Sequence, residues 1–161
     1  LSFMNVLLPP ALFSIEGLAS AYTRSLPLNK KLIILSKTII TTTTFIASLV
    51  VIFTLSLYLA ADFRPFLILG SIHAFAIASG NMLELVLLTE KFWKEGFTIG
   101  NIYARLSTYI VIIIPGALVT FSPIMIAFVA YAQSQSLVVP AFLTAALIEF
   151  GIMTAVVATR K

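Results

Sequence analysis

The chain has 161 residues, 60% of them apolar and only 10% charged, with a mean hydropathy of +1.10. Soluble domains average about 45–50% apolar and about 25% charged residues, and a soluble fold this small cannot hide so much apolar surface, so the bilayer is the natural solvent. The absence of cysteine removes disulfides, thiolate metal sites and Cys nucleophiles together, and the net charge of +4 reads as basic loops at a membrane rather than as a nucleic-acid surface.

In chain order, residues 1–13 form an apolar run too short to cross a bilayer and interrupted by Pro9 and Pro10. This run reads as the tail of a helix whose earlier part is missing; the chain opens on Leu1, and no basic region precedes the run as in a signal peptide. Residues 14–31 are a polar loop. Four runs then reach the ~20 residues that a helix needs to span the hydrocarbon core: 32–60, 66–89, 103–132 and 137–158. Between them lie "ADFRP" (61–65), "EKFWKEGFTIGN" (90–101) and "AQSQS" (132–136).

Strict alternation puts 14–31, 90–101 and the C-terminus on one face. That face holds Arg24, Lys30, Lys31, Lys37, Lys91, Lys94, Arg105, Arg160 and Lys161, nine of the ten basic residues, and the other holds only Arg64. The positive-inside rule makes the basic face cytoplasmic. The expectation is a multi-pass protein of the cell membrane with a cytoplasmic C-terminus.

Ionisable groups inside a span cost at least ~2.5–3.5 kcal/mol on insertion scales, so each needs a reason. In 66–89, Asn81 lies about 80° and Glu84 about 20° from His73 on a helical wheel, and Gly70 and Gly80 share that arc. This side should face protein or water rather than lipid. Glu149 lies near the middle of the last span. At about 1.5 Å per residue it is roughly 18 Å deep, against about 22 Å for Asn81, the best depth match among these groups. The functional reading is a translocation path or proton-linked site lined by Glu149, Asn81 and His73. The favoured reading is an interhelical hydrogen bond with a neutral Glu149. Glu84, counted close to the cytoplasmic interface, is expected to snorkel toward Lys91. The run 41–44 is four threonines, including Thr41 and Thr44. Their hydroxyls can bond the preceding turn, so they suit close helix packing, with a pore lining as the other possibility. In 103–132, Pro115, Gly116 and Pro123 predict a helix that ends near 115–122 and gives way to a re-entrant or interfacial segment on the outer side. Trp93 suits an interfacial anchor, and 96–106 suits an amphipathic lead-in to the third full span.

The loop has internal order. Leu18, Ala21, Tyr22 and Leu26 fall on one helical face, Pro27 stops that short helix, and "PLNKK" launches the next at about Leu32. Charge alone would need only a lipid anchor, at roughly 1 kcal/mol per basic residue. However, "EG" (16–17), "RSLPL" (24–28) and "KKLIILSK" (30–37) resemble the first cytoplasmic loop of ABC-2 type transporter permeases. The remaining layout is similar as far as the sixth helix, with the first helix and most of the second unmatched. The resemblance implies an all-α membrane domain in the ABC-2 arrangement. It also implies a coupling loop carrying Glu16, Gly17, Arg24, Leu26, Pro27, Lys30, Lys31 and Lys37, an external gate at the Pro115, Gly116 and Pro123 segment, a dimer of permeases, and an ATP-binding subunit as partner. No phosphate-binding G-x-x-x-x-G-K-[ST] occurs, so ATP hydrolysis belongs to another chain.

His73 is the only histidine, which leaves no H-E-x-x-H, Cys–His cluster or Ser–His–Asp set. The chain is therefore read as a non-enzyme without cofactor or metal. The alternatives are a non-catalytic membrane subunit of a larger complex, or a small channel lined by 41–44 and the His73 and Asn81 face.

Overall fold

A computed structural model describes residues 5–15, 29–58, 64–95 and 106–160, with the side chains of 13–15, 56, 91–95 and 106–109 excepted. These residues form helices α1 (Leu8–Ile15), α2 (Lys30–Tyr58), α3 (Arg64–Glu95), α4 (Leu106–Gln133) and α5 (Val138–Ala158), with a 3-10 turn at Gln135–Leu137 before α5. Among them, α2 to α5 are each long and apolar enough to cross a membrane.

Local chemistry explains most of the boundaries. Asn29 caps α2: its side-chain oxygen accepts from the Lys31 backbone N–H at 3.0 Å, meeting one of the donors a helix start leaves bare. Lys30, Lys31 and Lys37 therefore belong to α2 and not to the loop before it. Pro65 stands second in α3, and Pro9 and Pro10 stand in the first turn of α1, where their missing N–H groups cost nothing. The proline pair thus stands at the opening of α1, just after the helical residues Asn5 and Val6 and the turn at Leu7.

Two sequence expectations are corrected. Residues 90–95, expected in a polar inner loop, continue α3; the stretch holds good helix formers and meets its first breaker only at Gly96. Secondly, α4 runs unbroken through Pro115 and Pro123, so the expected break into a re-entrant segment is absent. A proline removes one backbone hydrogen bond, and in a bilayer the freed carbonyl must be met internally. Pro123 frees the Val119 carbonyl, and the neighbouring Ser122 hydroxyl lies 3.1 Å from it, in position to donate.

Contacts between successive helices run in opposite order along the two helices: Thr41 with Asn81 and Leu49 with Gly70, Gly80 with Thr120 and Glu84 with Gly116, and Ser122 with Glu149 beside the cluster holding Ala127 and Phe142. Consecutive helices are therefore antiparallel. By contrast α3 and α5 run parallel, with Ile72 and Ala76 against Phe142 and Ala146, and Met82 and Val86 grouped with Met153 and Val157. Helix α3 packs against α1, α2, α4 and α5. Half of its apolar window is buried, against 17% for α2 and 28% each for α4 and α5, which makes α3 the central element.

The outward faces are apolar: Ile39 is 65%, Leu57 68% and Phe128 71% exposed. The interior, in contrast, collects Lys37, Thr38, Thr41, His73, Ser79, Asn81, Glu84 and Thr120. An apolar outside around a partly polar inside is stable only where the solvent is hydrocarbon. The chain is a multi-pass helical membrane protein. At one end Arg160, after α5, forms an ion pair with Glu90 of α3. The start of α2 lies at that same end, because α2 and α3 are antiparallel.

Candidate functional site

The polar groups of α3 are distributed around three neighbouring helices. Asn81 faces α2, where its Nδ2 donates to Thr41 Oγ1 at 2.8 Å; both side chains are buried. Thr41 has a hydroxyl proton to place, and the Lys37 and Thr38 carbonyls each lie 3.0 Å away. Such back-bonding lets a threonine be carried through lipid without a bare donor. Thr44 bonds the Thr41 carbonyl at 2.6 Å and the Asn5 side-chain oxygen at 3.3 Å. Of the four threonines, Thr41 is buried, Thr42 half-buried, and Thr43 and Thr44 exposed. The run is thus spread around the helix, with Thr41 joining α2 to α3 and Thr44 reaching toward the N-terminal segment.

His73 sits among rings. Phe45 of α2 meets it edge-on with centroids 6.0 Å apart, and Phe121 of α4 and Phe142 of α5 lie tilted at 6.2 and 6.0 Å. Aromatic pairs at such separations are packing contacts, and here they join α3 to α2, α4 and α5.

Glu149 does not pair with Asn81. It bonds Ser122 of α4 instead. Matched depth was a sound clue, but the two side chains point to different helices. Ser122 Oγ has one hydrogen and two acceptors in reach, Glu149 and the Val119 carbonyl. The hydroxyl donates toward either acceptor, and its bond to Glu149 ties α4 to α5. Double-mutant cycles in membrane bundles average ~0.6 kcal/mol for such pairs, with a maximum near ~1.7. We expect coupling of that order for Asn81 with Thr41 and for Glu149 with Ser122, measured by Asn81→Leu, Thr41→Val, Glu149→Leu and Ser122→Ala. A cycle between Asn81 and Glu149 should give zero. Glu149→Gln should keep normal stability, because its amide oxygen can still accept from Ser122.

Glu84 also departs from expectation. It does not reach toward the interface; it is fully buried. Its carboxyl lies over Gly116 of α4, so close that a Cβ at Gly116 would collide with it. One turn earlier, a Cβ at Gly80 would strike the Thr120 hydroxyl and come within 2.7 Å of the Gly116 carbonyl oxygen. Gly80 and Gly116 thus permit the close crossing of α3 and α4, as small residues do in membrane interfaces. Gly116 is therefore a packing residue at this crossing, with Pro115 half-buried and Pro123 buried on the same unbroken helix.

A separate groove of about 530 Å³ opens between α2, α3 and Phe150 of α5. Its walls are apolar, including Ile46, Leu49, Phe53, Leu67 and Phe75. Glu16, Gly17, Arg24, Leu26, Pro27, Trp93 and residues 96–105 lie outside what the structure describes at side-chain level. Among the described residues no group of three or more His, Cys, Asp or Glu side chains could hold a metal. No family model matches the chain, and neither the curated proteins nor the solved structures contain a match.

Proposed function

We propose that the chain is the permease portion of an ABC-2 type exporter of the cell membrane. It would act as a dimer, with a separate ATP-binding subunit seated on the 14–31 loop at the cytoplasmic face. The observation that carries this reading is the placement of charge. Arg24 lies in the sequence between α1 and α2, and Lys30 and Lys31 open α2 at the end of the bundle that also holds Glu90 and Arg160. Support also comes from the interior. A push on the loop enters α2 at Lys30, reaches the Thr41 and Asn81 bond three turns later, and so meets α3, which touches each of the other described helices. A rigid element with that connectivity can convert a local displacement into a rearrangement of the bundle.

The alternative, a non-catalytic subunit of another membrane complex, gives the loop a different partner and no ATP dependence. Leu26→Asp and Arg24→Glu separate the two readings. Coupling predicts that each abolishes export and the stimulation of ATP hydrolysis while the protein still inserts in the membrane. A graded loss as basic residues are removed, with Leu26→Asp silent, would mark a lipid anchor instead. Unchanged ATPase stimulation in both variants would overturn the permease reading.

A further inference from the structure

We propose that the groove between α2, α3 and Phe150 of α5 is a binding site for one acyl chain of a bilayer phospholipid. This goes beyond the transport reading and does not depend on it.

Helix geometry gives the groove its length and direction. Its α2 wall runs from Thr42 to Phe53 and its α3 wall from Leu67 to Ala78. Each stretch rises about 16 Å at about 1.5 Å per residue, so the groove follows the helix axes. Because α2 and α3 are antiparallel, Phe53 and Leu67 mark the end near the connection between them. Thr42 and Ala78 mark the other end, at mid-span. The Glu90 and Arg160 ion pair lies in the opposite half of the bundle. A length of about 16 Å is one leaflet, half of the ~30 Å hydrocarbon core.

Width then selects the occupant. Spread over that length, the groove's 530 Å³ makes a channel roughly 6 Å across. A polymethylene chain, with carbon contact distances of ~3.5–4 Å, fits that width. A second helix, ~10–12 Å across with its side chains, does not enter.

The lining excludes a polar ligand. No charged residue contributes to it. Of its two polar residues, Ser71 donates its hydroxyl to the Leu67 carbonyl at 2.7 Å, and the Thr42 hydroxyl is buried. Phe75 and Phe150 stand together as an edge-to-face pair with ring centroids 5.4 Å apart. The rim is open, with Ile46, Val50 and Phe53 all exposed. A phospholipid therefore enters sideways, its headgroup still at the interface and one chain hanging toward mid-span. Moving a chain from lipid into the groove gains no hydrophobic energy. What holds it is the sum of van der Waals contacts along the walls, which an empty groove forfeits.

The test is photo-crosslinking of the full chain in phospholipid bilayers, with adducts located by mass spectrometry. One lipid probe carries its photoactivatable group at the end of an acyl chain, the other at the middle. The chain-end probe should label the deep end, around Thr42, Ala78 and Phe150, and the mid-chain probe the level of Leu49 and Ser71. Both should exceed several-fold the labelling of Phe128 and Leu147, which are exposed on α4 and α5. Ser71→Phe, which adds a ring at an exposed position of the groove, should remove the groove adducts and spare those at Phe128. Ala74→Phe should do the same. The depth pattern of the two probes needs neither variant, so it stands as a test if one fails to fold. Three results would overturn the proposal. Equal labelling of the groove and the outer faces would mark ordinary solvating lipid. Groove adducts unchanged in both filled variants would place the bound chain elsewhere. A groove unlabelled by either probe, with single cysteines at Val50 cross-linking between two copies, would assign it to a second copy of the chain.

Discussion

Gly80→Ala should destabilise the bundle by on the order of 2 kcal/mol, within the ~1–3 kcal/mol range of overpacked cores. The added methyl meets the Thr120 side chain and, at 2.7 Å, the Gly116 carbonyl oxygen. Thr120 can turn about its χ1 angle, but the carbonyl is backbone and moves only if α3 and α4 separate. Separation also disturbs the packing of Glu84 on Gly116. Gly116→Ala should cost less, because its methyl meets the far end of a glutamate side chain that has three torsions to adjust. Gly151→Ala is the control. Nothing lies within 4 Å of a Cβ there, and replacing glycine in a helix gains ~0.8–1 kcal/mol of propensity. Equilibrium unfolding in detergent micelles should rank the three as Gly80→Ala worst, Gly116→Ala intermediate, and Gly151→Ala neutral or stabilising. Equal losses at all three sites would mean that the α3 and α4 crossing is not the tight one.

Phe142→Ala should have an effect of similar size for a different reason. Phe142 is 4% exposed and joins Ile72, Ala76, Ala127 and Ala146 in one cluster, with its ring against His73. In water a buried Phe→Ala costs ~3–5 kcal/mol, summing lost transfer energy and the cavity. In a bilayer the transfer part largely vanishes, since lipid tails are as apolar as the core. The cavity part stays, and the small alanines around Phe142 are poorly able to fill it. A loss on the order of 2 kcal/mol follows. Phe128→Ala, at a residue 71% exposed on the lipid face, should change stability by far less. The same unfolding measurement compares them, and comparable losses would contradict the inside-out packing described above.

The four spans and the polar side of α3 were legible in the sequence because both follow from hydropathy and a single helix's periodicity. Partner choice was not legible. Glu149 and Asn81 match in depth, yet one faces α4 and the other α2, and azimuth between helices depends on packing that no single segment encodes. Glu84 was misplaced for a simpler reason. Counted from the outer end of a run taken to stop at Thr89, it fell close to the cytoplasmic interface, whereas the helix continues to Glu95, and the carboxyl fits over a glycine that belongs to another helix. Pro115 and Pro123 read as breaks because an isolated helix has no remedy for a lost hydrogen bond. The remedy at Pro123 is the hydroxyl of the residue before it, a local feature that the dipeptide "SP" at 122–123 could have suggested. Lys37 was given to the coupling loop by the resemblance although the 32–60 run already contained it, and the structure buries it inside α2.

Sidedness carries the functional account, since an ATP-binding subunit can reach the 14–31 loop only from the cytoplasm. The most direct measurement uses the cysteine-free background: single cysteines at Ser20 and Ser134, treated in intact cells with a membrane-impermeant thiol reagent. Ser134 is exposed in the turn between α4 and α5 and should label from outside. Ser20 should label only after the membrane is opened. Labelling of Ser20 in intact cells would place the basic loop outside and contradict the account.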